Sequence, residues 1–150
     1  MIALTFEVAA ERYGLDLSQV VEVVPAVRLR RLEGVPDYVA GLFRFRGAHV
    51  PVIDLSLLIS GRPTVPRFST RVVLVRHPGP SGVGRLLGLL AEHVANGLDD
   101  SAAAPVPTGV AAPEAPYLGG LGTSDGRTVQ YVRVEELLPG SLRERLFAEE

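Results

Sequence analysis

Shifting the sequence against itself by 79 residues brings two of its stretches into register. Tyr38-Val39-Ala40-Gly41-Leu42 falls on Tyr117-Leu118-Gly119-Gly120-Leu121, and without gaps Gly47 meets Gly126, Val50 meets Val129, Leu58 meets Leu137 and Gly61 meets Gly140. These seven identities in 24 positions exceed the roughly one or two that average composition would give by chance. Two copies are too few for a solenoid. A chain of 150 residues built on such a repeat is expected to fold as two similar small units, and the short alternating runs with tight turns suggest twin small barrels packed together.

The local pattern is mainly β. Ile2, Leu4, Phe6 and Val8 alternate with Ala3, Thr5 and Glu7 as in a half-buried strand, and Tyr13-Gly14-Leu15-Asp16-Leu17 repeats the alternation. Ser18 stands where an N-cap would start a short helix through Val20, Val21 and Val24, stopped before Pro25. Val27-Arg28-Leu29-Arg30 reads as extended, with guanidinium groups on its polar face. Val35 to Leu42 reads as a helical turn with Pro36 near its start. Phe43 to Arg46 and His49 to Leu55 are expected to form a hairpin around Gly47-Ala48, with Asp54 ordering the turn that follows.

A linker is expected at 61–66, a strand over Val72 to Arg76 and a turn at 77–82. Val83 to Val94 reads as a bent strand in which Gly88 marks a bulge or a close approach. Ser101 to Pro116, rich in Ala and Pro, reads as an extended surface crossing. Tyr117 to Leu121 and Arg127 to Val134 make a second hairpin turned by Ser124-Asp125-Gly126, and Glu135 to Phe147 a terminal helix.

Residue usage excludes many chemistries. There is no Cys, and all 15 basic residues are Arg. Thiol nucleophiles, thiolate zinc sites, a P-loop lysine and Schiff-base catalysis are therefore absent. No apolar run approaches the ~18 residues of a membrane span. Met1-Ile2-Ala3-Leu4 lacks the basic start of an export signal, so a cytoplasmic protein is expected.

Charge is unevenly placed. Residues 27–88 carry ten Arg against three acids, a net +7, while residues 89–150 carry four Arg against ten acids, a net −6. With an overall charge of −2, this dipolar surface suits protein partners better than nucleic acid.

The search for catalysis finds little. His49, His77 and His93 are scattered, and none has the spacing that puts two imidazoles on one metal. Glu92-His93 with Asp99-Asp100 is the nearest acid–imidazole cluster, but strand neighbours 92 and 93 are expected to face opposite sides. Gly82-Val83-Gly84-Arg85-Leu86-Leu87-Gly88 and Gly120 to Gly126 each miss the dinucleotide fingerprint by one residue and read as turn glycines. In Phe43-Arg44-Phe45-Arg46-Gly47, alternation puts the phenylalanines on one face and the arginines on the other. That composition fits an interface hot spot or a charge-protected edge strand.

These residues resemble the CheW-like coupling proteins of bacterial chemosensory arrays. Tyr13-Gly14-Leu15-Asp16-Leu17 with Val20 and Glu22 is similar to the family's Y-G-I-D-I…V-x-E opening. Gly41-Leu42-Phe43-Arg44-Phe45-Arg46-Gly47-Ala48-His49-Val50-Pro51-Val52-Ile53-Asp54-Leu55 is similar to its G-V-x-N-L-R-G-x-x-x-P-V-x-D-L signature. Gly88 to Val94 resembles G-x-x-V-D-x-V, and Tyr117 to Gly122 resembles the entry to the last hairpin. Arg44-Phe45 stands where the family has Asn-Leu, Glu92 replaces an Asp, and Arg133 stands where an acid or amide is usual. The sequence also enters its first strand almost at once, without the family's common leader.

The resemblance implies a mainly β fold of two five-stranded SH3-like barrels on a shared core, with short helices and a C-terminal helix. One subdomain would span about 13–66 and the other about 67–134, with strand 2–8 pairing across and the helix at about 135–147. It implies no catalysis and no cofactor or metal. The function implied is that of a scaffold joining methyl-accepting receptors to a CheA-type histidine kinase, recruited to membrane-associated arrays. A receptor hairpin tip would dock between the barrels, the kinase's regulatory domain would pair with a barrel end, and other CheW-like domains could join in rings. Val20, Glu22, Phe45 and Arg46 are the partner-contact candidates, Gly41 and Gly47 keep the bends that present Arg46, and Leu89 and Val94 are groove candidates placed by spacing. Two readings compete: a small-barrel metal enzyme around Glu92, His93, Asp99 and Asp100, and an oligonucleotide-binding barrel using Arg28, Arg30, Arg31, Arg44 and Arg46.

Overall fold

The computed structural model describes residues 2–79, 82, 84–98 and 114–147. The expected turn at 77–82 lies partly outside these residues, and the crossing at 101–116 almost wholly so.

Among the described residues nine strands run in chain order: β1 (Ile2–Val8), β2 (Glu11–Asp16), β3 (Val20–Pro25), β4 (Val39–Phe45), β5 (Ala48–Asp54), β6 (Arg71–His77), β7 (Arg85–Leu98), β8 (Leu118–Ser124) and β9 (Arg127–Val132). They form two groups of five that share β7. Residues 85–91 of β7 pair with β6 in the group β3-β6-β7-β5-β4. Its C-terminal half pairs with β1 in the group β7-β1-β2-β9-β8. Among the described residues β3 and β4 are not paired with each other, so the first group remains an open barrel with two edges.

The repeat in the sequence is a repeat in the backbone. Hairpins β4–β5 and β8–β9 coincide at an offset of 79, except that β9 ends one residue before the counterpart of Asp54. Both turn through two residues of positive φ: Arg46 (49°) and Gly47 (83°) in one, Asp125 (50°) and Gly126 (73°) in the other. This is the twist that two-residue hairpin turns require. The first turn therefore sits one residue earlier than expected. In each group the second hairpin strand runs parallel to a strand from elsewhere, and at each such crossing a glycine faces it: Gly88 opposite Val52, Gly14 opposite Tyr131. A Cβ on Gly88 would lie 2.9 Å from Val52 Cγ2, and one on Gly14 would lie 2.8 Å from Val129 Cγ1. The close approach expected at Gly88 is thus real.

Among the described residues, three apolar clusters make up the core. Val50, Val52, Val72 and Leu74 pack inside the first group, and Ala3, Val129 and Tyr131 inside the second. Between the groups lies the largest cluster, drawing Leu4, Phe6 and Leu15 from one and Ile53, Val73, Val75, Leu87 and Leu89 from the other. Strands buried on both faces explain why β6 and β7 read as continuous apolar runs. Tyr38 and Leu58 line a single cleft together with their repeat partners Tyr117 and Leu137, so the two copies meet across it.

After β5 comes α1 (Leu55–Ser60). The Asp54 carboxylate caps it, accepting from the Leu57 N–H at 3.1 Å, and it also accepts from the Thr64 N–H at 3.1 Å. One carboxylate therefore orders both the helix start and the linker beyond it.

Three expectations are corrected. The segment from Val20 is a strand, not a helix: Asp16 caps only a single 3₁₀ turn at Leu17–Gln19, and the β-branched valines then continue extended with alternating burial. Val35 to Leu42 is a loop entering β4 at Val39, not a helical turn. The terminal helix is broken by Pro139, which separates a 3₁₀ turn at Val134–Glu136 from α2 (Gly140–Leu146), because the residue before a proline is pushed out of the helical region.

Candidate functional site

The first group's open edges, β3 and the β4–β5 hairpin, are linked by side chains rather than backbone. Glu22 pairs in register with Leu74, and at the hairpin tip the Arg46 guanidinium donates to Glu22 Oε1 at 3.0 Å. The Arg46 side chain is 73% exposed and that of Glu22 40%. The guanidinium also sits over the Phe45 ring, 4.7 Å from its centroid, and Phe45 packs in turn on Phe43 at 6.0 Å. Both rings lean on the first group's interior cluster. Arg46 is thus a cation held in place from two sides while keeping most of its surface for a partner. Such an arginine over an aromatic, with exposed Val21 and Val23 on the neighbouring strand, has the composition of an interface anchor.

Gly41 acts at a distance from this tip. The segment before β4 crosses it, and Arg30 and Leu42 exchange two backbone hydrogen bonds of 2.8 Å. Gly41 has a φ of 147°, and a Cβ there would lie 2.5 Å from the Arg30 carbonyl oxygen. Only glycine lets the crossing close.

The candidate residues fall in three places. Glu22, Phe45, Arg46 and Gly47 meet at the hairpin tip, with Val20 on β3 turned partly into the shared core. Val94 lies elsewhere, half-buried beside a cleft of about 310 Å³ with Thr5, Arg12, Ser69 and His93. Leu89 is corrected: it is fully buried in the shared core, so it packs the two groups together and presents nothing to a groove.

The acid–imidazole cluster is arranged differently from expectation. His93 sits at a bulge with a φ of 52°, so it and Glu92 both line one cleft of about 780 Å³, with Glu7, Ser56, Arg62, Val65 and Arg67. Glu92 is committed to the Arg67 guanidinium at 2.9 Å, and His93 Nδ1 lies 3.8 Å from Glu7. Asp99 and Asp100 lie outside the described residues. Among the described residues no group of three His, Asp or Glu is placed to hold a metal ion. Arg28, Arg30, Arg31 and Arg44 are exposed, but the aromatic rings of the same hairpin pack inward and are not laid out as a platform for stacked bases.

Sequence reasoning missed Phe68. It is wholly exposed on the turn between the linker and β6. A lone aromatic in a run with neither helical nor strand periodicity is the signal that could have marked it.

Comparison with known proteins identifies the family and the fold. Residues 3–141 match the family model described as the CheW-like domain. The chain is 30% identical over 137 residues to a chemotaxis protein CheW of Klebsiella aerogenes, covering 90% of this chain and 80% of that one. It is 28% identical over 133 residues to a chemotaxis protein CheW of Helicobacter pylori, covering 89% and 78%. Among solved structures it superposes on the scaffolding protein TtCheW of Thermoanaerobacter tengcongensis with a TM-score of 0.75 at 24% identity, covering 93% of this chain and 89% of that one.

Proposed function

This chain belongs to the CheW-like domain family, and from that membership we propose that it is a non-enzymatic adaptor coupling methyl-accepting receptors to a CheA-type histidine kinase. The observation that carries the proposal is the Arg46–Glu22 pair at the open end of the first group, where the family's R-G and V-x-E motifs meet on an exposed surface. A binding module needs such a rigid, chemically specific patch and no reacting group.

On this reading the barrel end bearing Val20, Glu22, Phe45, Arg46 and Gly47 pairs with the kinase's regulatory domain. Gly41 keeps the crossing that supports the hairpin. The receptor's helical hairpin tip docks along the clefts where the two groups meet, beside Val94, as an amphipathic helix laid in a groove. No helix among the described residues is long and apolar enough to cross a membrane. On the same reading the chain reaches arrays through its partners, in the cytoplasm, with other CheW-like domains as neighbours in a ring.

The test is reconstitution. The purified chain is mixed with a kinase and a receptor fragment from the same cell, and kinase autophosphorylation is followed with and without the chain. Receptor control of the kinase only when the chain is present supports coupling. Binding to neither partner overturns it.

A further inference from the structure

Phe68 is fully exposed, yet it is not on a loose loop. The Arg67 N–H donates to Thr70 Oγ1 at 2.9 Å, the Thr70 N–H donates back to the Arg67 carbonyl at 3.1 Å, and the Thr70 hydroxyl donates to Val65 O at 2.8 Å. The Arg71 guanidinium clamps the carbonyls of Phe68 and Thr70. The turn is also tied to β7, where Arg67 meets Glu92 and the Val94 N–H donates to Ser69 O at 3.3 Å. A large aromatic held rigidly in water forgoes burial that no described residue supplies, which is the profile of an interface anchor rather than of a core residue.

Its surroundings define what would cover it. Arg67 and Val65 line the larger cleft, while Ser69 and Val94 line the smaller one, so Phe68 stands on the ridge between the two. Val65 adds a second exposed apolar group, 45% accessible. The two clefts and the turn between them bring Arg12, Arg62, Arg67 and Arg71 against Glu7 and Glu92, a net positive surface even with Arg67 paired to Glu92. Charge complementarity therefore selects acidic groups beside the apolar contact.

We infer that Phe68 is a docking knob that inserts between apolar side chains of a partner helix flanked by acidic residues, and that it extends the receptor-docking surface proposed above. The assignment rests on that reading and adds to it a residue outside the family's motifs, one that would set which receptor this chain accepts.

The experiment measures affinity of the full chain and its Phe68→Ser and Phe68→Leu variants for two probes: the receptor's cytoplasmic hairpin fragment and the kinase's regulatory domain. Expected are at least a tenfold loss toward the receptor fragment for Phe68→Ser, retention within threefold for Phe68→Leu, and kinase binding within twofold of the parent for both. The melting temperature should not fall, since the ring is wholly in solvent. Receptor binding by Phe68→Ser within twofold of the parent would overturn the inference while leaving the adaptor reading intact. Failure of the parent to bind the fragment at all would overturn the adaptor reading and this assignment with it. Sedimentation of the chain alone covers the remaining occupant: self-association lost in Phe68→Ser would show that the knob seats on a second copy, and would also overturn the inference.

Discussion

Arg46 and Glu22, 24 residues apart in sequence, meet at 3.0 Å across the gap between β3 and the tip of the β4–β5 hairpin. An ion pair this exposed contributes only about 0–1 kcal/mol to folding, so its geometry is better suited to presenting charge than to holding the barrel. Arg46→Ala and Glu22→Ala should each leave the denaturation midpoint nearly unchanged while weakening kinase or receptor binding by about 1–3 kcal/mol, the range of interface hot spots. The exchanged pair, Arg46→Glu with Glu22→Arg, should keep the fold and still bind poorly. Calorimetric titration of the parent and the three variants checks this. Full binding by the exchanged pair would mean that the bridge matters and the identity of the charges does not.

The glycines at the two parallel crossings make a second prediction. A methyl group on Gly88 would press on Val52 and Val72 at 2.9 and 3.0 Å, and one on Gly14 on Val129 at 2.8 Å. Overpacking of this kind costs about 1–3 kcal/mol. Gly88→Ala and Gly14→Ala should therefore both lower stability by that order in urea denaturation. Gly126→Ala meets nothing within 4 Å and carries only its φ of 73°. It should cost about 1 kcal/mol from backbone strain alone.

Much of this architecture was legible in the sequence because a hairpin is a local object. Alternating residues around a Gly-containing pair specify both hairpins, and the repeat at 79 follows from their shared turn geometry. What the sequence hid is non-local. Valines at 20–24 can be drawn as a capped helix until β6 is there to pair with them, and the strand wins through contacts made by residues 71–75. Leu89 looked available for a groove because spacing alone does not say that β7 serves both groups and is covered on both faces there. The tip cluster was legible residue by residue, yet the Arg46–Glu22 contact was not, since it depends on how far an open barrel curls.

The repeat also predicts where the two copies differ. Asp54 caps α1 and holds Thr64, while its counterpart Arg133 makes no side-chain cap to the following 3₁₀ turn. Asp54→Ala should cost about 1–2 kcal/mol, the usual value of a lost N-cap, with the linker hydrogen bond adding to it. Arg133→Ala should stay within about 0.5 kcal/mol, as surface changes do. Paired thermal melts of the two variants decide between a shared and a one-sided role.

His77 gives the molecule an acid-sensitive point. It is fully buried, its ring packs on Phe147 at 5.3 Å, Nδ1 accepts from the Gly79 N–H at 2.9 Å, and Nε2 has no partner among the described residues. Burial, reinforced by the nearby Arg143 guanidinium and opposed by Glu135, lowers its pKa from 6.5 to about 4. The folded state therefore prefers the neutral imidazole, and between pH 6.5 and 4 the unfolded chain binds the extra proton. Stability from this group is complete above about pH 6.5 and falls as the pH drops toward 4. The loss approaches about 3 kcal/mol, since each tenfold difference in proton affinity between the folded and unfolded chain is worth about 1.4 kcal/mol. The imidazole must charge against the Phe147 contact, so α2 should loosen first. Urea titrations from pH 4 to 7.5 should show this slope in the parent and its loss in His77→Phe. An equal slope in that variant would show that His77 is not the acid-sensitive group.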